Sequence, residues 1–399
     1  MKKTYLLGLV FWSIAASSWA QQAAQDSSYK IPANSRAITA DLLSSYYQQD
    51  GQNGAVQGGQ GTEKLQDVAN KVQLYVPLDK NKAIQLQAGA DSYSSASTDE
   101  IDNNPSSASA QDLRAYGQLS YQHKLLRQGV ELSVGGGFST EYDYQSVSAN
   151  LGIKKDFYAG NSQLAFNFGL FQDNWKLIYP RELRGFVDAG RSDRQSLSFS
   201  LAYSQMITPS LQAIANVEYI RMAGLLSTPF HRVFFDDLSL DIERLPEMRS
   251  KIPASIRLHY YLNDYFILRS FYRYYWDDFG VEGHTAELEL PIQLHPNFNV
   301  QAFYRYHQQT ASDYFAPFAE HSVNSSFYTS DYDLSAFHSQ QFGLGFRYAP
   351  AFGLLRSKSF LKSKRVVLFK SISARLAYYQ RSTGLEAFIA SLHLAFSLE

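Results

Sequence analysis

Six arginines recur at alternating positions of strand-like segments: Arg257, Arg269, Arg273, Arg305, Arg347 and Arg375. Glu218, Glu287 and Glu289 stand at positions of the same parity. On the wall of an open channel, arginines facing carboxylates set up a transverse field that orients a permeating solute. In a closed barrel the same groups would form an internal ion-pair plug, because buried charges must be paired. A second group of chemistry-bearing residues lies in the segments between strands. His231, Arg232, Asp236 and Asp237 fall in the longest loop, and Asp277, Asp278 and His284 flank a short connection. Two carboxylates and an imidazole are a donor set for a divalent cation. The same aspartates, next to Gly280, equally suit a tight turn.

Further candidates are histidines at inward parity, His259 and His307, which would serve an outer-membrane hydrolase if a Ser or Asp lay within hydrogen-bond reach. No Gly-x-Ser-x-Gly, His-Glu-x-x-His or nucleotide-binding loop occurs, and no cofactor is expected. A non-enzymatic role is therefore expected, with the hydrolase as the less favoured reading.

These residues are carried by a strand pattern. Between Ile252 and Tyr306 four amphipathic segments follow one another, and each has one apolar and one hydrogen-bonding face. Their length of roughly 10–13 residues suits a tilted strand crossing a bilayer, whereas strands of soluble sandwiches average about 5–6. Comparable segments span Ile38–Tyr47, Leu65–Val76, Ala83–Tyr93, Leu113–His123, Gly129–Thr140, Gln145–Lys155 and Ser162–Trp175. Ser196–Gln205, Leu211–Arg221, Ser339–Tyr348, Val367–Tyr379 and Leu385–Leu398 complete the set. The fold class expected is all-β: a transmembrane antiparallel up-and-down barrel of about sixteen strands, covering 38–399.

With the N-terminus on the periplasmic side, short turns sort to that side and long loops to the other. One connection breaks the rule. Pro350 to Val366 is long yet periplasmic and carries Arg356, Lys358, Lys362, Lys364 and Arg365. It reads as a solvated basic loop, or as a dock for an acidic periplasmic protein or lipid headgroups.

Composition agrees. Hydrophobic residues make up 45% of the chain and aromatics 15%, with 28 Tyr and 27 Phe, the material of interfacial girdles. A net charge of −1 gives no footing for nucleic acid. There is no cysteine, which excludes thiolate metal sites and a lipidated N-terminus. Residues 1–20 read as a cleaved signal peptide: Lys2 and Lys3, an apolar run from Tyr5 to Ala16, then Ser18-Trp19-Ala20. Residues 21–37 read as a polar periplasmic tail. The expected place is the outer membrane of a Gram-negative bacterium, in contact with lipid and lipopolysaccharide. The last strand, with Phe388, Ala390, Leu392, Leu394, Phe396 and Leu398 toward lipid, resembles the signal read by the barrel-assembly machinery, although Glu399 replaces the usual terminal aromatic.

Two stretches carry a family resemblance. They are Leu226-Ser227-Thr228-Pro229-Phe230-His231-Arg232-Val233-Phe234-Phe235 with Glu243-Arg244-Leu245-Pro246, and Tyr272-Arg273-Tyr274-Tyr275-Trp276-Asp277-Asp278-Phe279-Gly280 with His284-Thr285. Together they resemble an uncharacterised family of bacterial outer-membrane barrels catalogued as a domain of unknown function. The resemblance is densest from Ser204 to Pro291. It implies the barrel and its membrane but no activity, and it associates relatives with thioredoxin-like and flavin-attaching proteins. The expected function is a pore for small solutes, anionic by its arginine lining. The alternative is a non-conducting barrel that acts as a scaffold or docking component of an envelope complex, a redox-related one by the associations of its relatives.

Overall fold

The computed structural model describes residues 37–95, 112–183, 190–358 and 366–398. The signal and most of the tail (1–36), Lys362, Lys364 and Arg365 of the basic connection, and Glu399 lie outside them. The strands are β1 (Ile38–Asp50), β2 (Leu65–Pro77), β3 (Lys82–Ser95), β4 (Asp112–Leu125), β5 (Val130–Thr140), β6 (Tyr144–Phe157) and β7 (Ser162–Lys176). They continue with β8 (Arg191–Thr208), β9 (Leu211–Gly224), the short pair β10 (Arg232–Phe234) and β11 (Leu240–Ile242), β12 (Met248–Tyr261) and β13 (Ile267–Asp277). β14 (Glu282–His295), β15 (Phe298–Gln309), β16 (Phe337–Tyr348), the short β17 (Leu355–Lys358), β18 (Val366–Arg381) and β19 (Glu386–Leu398) follow.

Among the described residues, sixteen long antiparallel strands close into one barrel sheet, to which the short β17 adds by pairing with β18 and from which β10 and β11 stand apart. β1 seals it, pairing with β2 from Thr39↔Tyr75 and with β19 from Ile38↔Leu398 to Asp50↔Glu386. Closure leaves no unpaired edge, which a strand in hydrocarbon cannot tolerate.

What faces outward settles the solvent. Leu119, Val147, Leu151 and Leu288 are each more than half exposed, although they lie inside ordered strands. In water this continuous apolar band would be a large liability; in lipid it is the favourable surface. The chain is an outer-membrane barrel. On the last strand Phe388 and Leu392 are exposed as expected, while Ser391 and His393 face the interior.

Several strands run further than their amphipathic cores. β12 starts at Met248, so Arg249 and Lys251 belong to the wall and not to the preceding loop. β8 starts at Arg191, and Gly129 leaves the strand for a turn at φ 62°. Past the end of β16, β17 lies along β18 with Leu355 opposite Phe369, and carries Arg356 and Lys358 of the basic connection.

Candidate functional site: a charged lumen under a loop cap

Alternation along β12–β16 and β18 turns one side chain in two inward, and register decides which charges meet. Arg269 lies opposite Glu289, and Glu287 opposite Arg305. Arg269 Nη1 is 2.9 Å from Glu289 Oε1, and Arg305 Nε donates to Glu287 Oε2 at 2.6 Å. Arg375, from β18, reaches Glu289 Oε2 at 3.4 Å with its guanidinium 3.8 Å from the centre of the Phe303 ring. Gly343 makes that possible: a Cβ there would lie 2.0 Å from the Phe303 ring. Arg257 stacks on Phe271 at 5.1 Å. Both glutamates are almost fully covered, their side chains about 4% exposed, while the arginines paired with them keep more of their surface open to the cavity.

Arg273 differs from its neighbours. It faces the lumen opposite Thr285, its buried Nε has no hydrogen-bond partner, and no ion pair neutralises it among the described residues. Beside it His307 bonds Thr285 Oγ1 at 2.9 Å through Nδ1 and Gln309 Oε1 at 3.3 Å through Nε2. Neither partner is the Ser or Asp that a hydrolytic histidine would require. Arg347 and Glu218 also line the lumen, as does Arg114.

Half the circumference away, on β2–β4 and the β5–β6 turn, the wall is acidic: Asp67, Asp91 and Glu141, with Lys71 and Arg114 among them. Arg114 approaches Asp91 at 3.9 Å and Glu141 at 3.6 Å. Sequence reasoning missed this wall. Asp67, Lys71 and Asp91 do share the inward parity of their strands, which is the signal available. His393 was likewise missed as a partner; it bonds Asp41 at 2.7 Å across the β1–β19 seam.

Between the walls lies a cavity of about 1050 Å³. Its lining runs from Asp333 and Arg381 at the loop end to Asn299 and Arg347 near the opposite turn. It therefore follows most of the barrel's length.

The loop end carries a cap. The loop 225–247 and the loop 310–336 pair through Phe235↔His321 and Arg244↔Tyr328. Phe230, Val233 and Thr329 are buried between them. Arg232 draws in two more loops, donating to Val56 O at 2.7 Å and to Glu182 at 2.8 Å. Leu245 packs on Phe279, Val281 and Leu334, so the two stretches that carry the family resemblance meet here. The cap is tied to the wall by Arg381, which pairs with Asp333 at 2.5 Å and lies 3.6 Å from Glu63. Gln309 holds the Asp333 and Ser335 carbonyls at 3.0 and 2.8 Å.

The predicted loop cluster divides. Asp277 is buried and saturated: it accepts from Arg249, from Tyr275 Oη at 2.6 Å, and from Phe279 N and Val281 N at 3.0 and 3.1 Å. Asp278 caps Ser250 N, and His284 points outward to bond Tyr272 Oη at 2.7 Å. These three do not form a cation site, because Asp277 has inward parity and His284 outward. Asp236 and Asp237 are exposed at the β10–β11 turn, where Asp237 accepts from Ser239 N.

His231 instead meets Glu243 and Asp331, its Nδ1 3.6 and 3.9 Å from their oxygens. Burial alone would lower its pKa, but Glu243, Asp331 and Asp333 outweigh burial and raise it. Burial, then Asp333, pushes Asp331 up to about 6. Both groups hold their protons more tightly in the folded cap. Their contribution is present at low pH and is lost as pH rises through the folded values. Protease cleavage of the cap loops in proteoliposomes should therefore be faster at about pH 9 than at about pH 6, given an unperturbed histidine near 6.5. His231→Gln should shrink the difference; equal rates at both pH values in the native protein would contradict this role.

No curated protein matches the sequence. Among solved structures, the chain is similar to OccK1 (OpdK) of Pseudomonas aeruginosa at 9% identity and a TM-score of 0.41, covering 90% of this chain and 98% of that one. It is similar to a bacterial polysaccharide outer membrane secretin at 10% identity and a TM-score of 0.48, covering 90% and 97%. A deletion mutant of TodX, a monoaromatic hydrocarbon channel, aligns at 9% and 0.39, covering 90% and 89%. Likeness of this degree says nothing about what passes or docks, and the barrel stands on its own closed register. The profile of one family runs over residues 20–394, and the chain belongs to that family, described as protein of unknown function (DUF3570).

Proposed function

We propose that the barrel is a passage for small anionic solutes. The observation that carries this reading is the long cavity between segregated walls, lined by more arginines than carboxylates, with Arg273 lacking a counter-ion. A low-dielectric cleft with one dominant sign of charge concentrates the opposite ion and speeds its entry. The acidic wall across from it supplies the transverse field that would align a solute carrying both a charge and a dipole. The cap, held by backbone bridges and side-chain bonds and not covalently, would restrict entry by size.

Swelling of liposomes that contain the purified barrel tests this. Small organic carboxylates should enter several-fold faster than ammonium compounds of equal mass. Equal rates would remove the charge preference. No swelling with a folded barrel would favour the second reading, a docking component. That reading rests on the periplasmic connection, where Phe352 is 91% and Leu355 71% exposed beside Arg356.

A further inference from the structure

Where β3 and β4 end at the loop side, Tyr93 lies opposite Asp112 in register, and the β5–β6 turn brings Glu141 and Asp143 beside them. One oxygen from each of the three carboxylates lies within 4.8 Å of the others. Crowding of this kind is common on exposed rims, but here the Glu141 and Asp143 carboxylates are covered and Asp112 is partly so. Asp143 is 3% exposed, the Glu141 side chain 5%, and Tyr93 4%. Two carboxylate oxygens of the cluster, Glu141 Oε2 and Asp143 Oδ1, are covered and without a hydrogen-bond partner, while the buried Tyr93 hydroxyl bonds Asp112 beside them.

Leaving such atoms unmet is costly, so the arrangement needs something to meet them. The nearby side-chain cations do not suffice. Arg114 Nε sits 3.6 Å from the other Glu141 oxygen, and Lys176 Nζ is engaged with the Tyr142 hydroxyl at 3.2 Å.

We propose that Asp112, Glu141 and Asp143, with the Tyr93 hydroxyl beside them, form a calcium site that staples the β3–β4 hairpin to the β5–β6 turn. The donors are all oxygen, which selects a hard cation over zinc or copper. Calcium takes oxygens at about 2.3–2.6 Å in irregular shells, so ligands about 5 Å apart across the ion are ordinary. Magnesium demands a tighter octahedron at about 2.0–2.1 Å and retains its waters. The remaining positions of the shell would fall to backbone carbonyls of the turn or to water. The site owes nothing to the transport reading, since its evidence lies in the rim and not in the arginine wall.

The alternative for three crowded carboxylates is shared protons. Burial, followed by a smaller opposing effect of Arg114 and the repulsion of its acidic neighbours, pushes Glu141 up to about 8. Burial and Asp112 push Asp143 up to about 7. The two accounts separate experimentally. The full barrel, stripped with EDTA in detergent, is titrated with CaCl2 by calorimetry at pH 7.5, and the temperature of its heat-modifiable gel shift is recorded. One calcium per chain should bind in the range of about 10⁻⁴–10⁻³ M typical of extracellular sites, or tighter, and raise the transition by several degrees. Asp143→Asn and Glu141→Gln should each weaken binding at least about tenfold. In EDTA their transitions should equal or exceed the native one, because a repelling charge is gone; this also reports that they fold. No uptake by the native barrel at 10 mM calcium, roughly ten times the weakest such sites, would overturn the proposal. Undiminished binding by both variants, or identical binding of MgCl2, would overturn it as well.

Discussion

Asp277→Ala is expected to lower the unfolding free energy of the barrel by about 3–5 kcal/mol, the cost of stranding one member of a buried ion pair. Asp277 is 1% exposed and Arg249 4%, so the guanidinium left behind has no water to turn to. That guanidinium also stacks on Phe279 at 4.5 Å, and Phe279 belongs to the apolar cluster under the cap. The loss therefore spreads from the 278–281 turn into the cap. Asp277→Asn retains acceptors for Phe279 N and Val281 N but not the charge, so it should recover only part of the loss. The double change Asp277→Asn with Arg249→Met removes both charges and should be milder than Asp277→Ala alone. Urea unfolding followed by tryptophan fluorescence measures all three, with Trp276 next to the site. A change below about 1 kcal/mol for Asp277→Ala would show that Arg249 finds another partner.

Arg273→Glu should cut the chloride-over-potassium permeability ratio at least about tenfold. A unit charge about 6 Å from the solute path contributes roughly 3 kcal/mol at an effective dielectric constant near 20. Mobile ions reduce this within a Debye length of about 10 Å at 0.1 M salt, yet about 1.4 kcal/mol already gives a factor of ten. The substitution exchanges one sign for the other and breaks no ion pair, so the barrel should fold as before. Arg305→Ala serves as the contrast: it uncovers Glu287, now bonded at 2.6 Å, and should alter stability together with selectivity. A ratio unchanged in Arg273→Glu would place the solute path away from this wall.

The arginine wall was legible because β12–β15 alternate strictly, and one inward residue fixes the facing of all the others on its strand. The same parity argument could have dismissed Asp277 with His284 as a site. Asp277 shares parity with Arg273, whereas His284 shares it with Ala286 and Leu288 on the lipid face. The acidic wall was hidden for a different reason. Asp91 sits in a run of small residues, Ala88-Gly89-Ala90 before it and Ser92 and Ser94 after it, where the two faces differ too little for it to stand out. Of the cap, the sequence pointed to the longest loop folding in to constrict the barrel, but not to the second loop it pairs with. Bridges such as Phe235↔His321 join loops far apart in sequence and have no periodicity to announce them. The loss of Arg249 to a presumed loop followed from the same cause, since a strand end fixed by a tertiary ion pair leaves no trace in local pattern.

The central claim is that the charged interior conducts and favours anions. Reversal potential across a planar bilayer holding the purified barrel, under a tenfold KCl gradient, tests it most directly. The account predicts ohmic current with a reversal potential displaced toward that of chloride. A silent membrane containing correctly folded barrels, or displacement toward potassium, would contradict it.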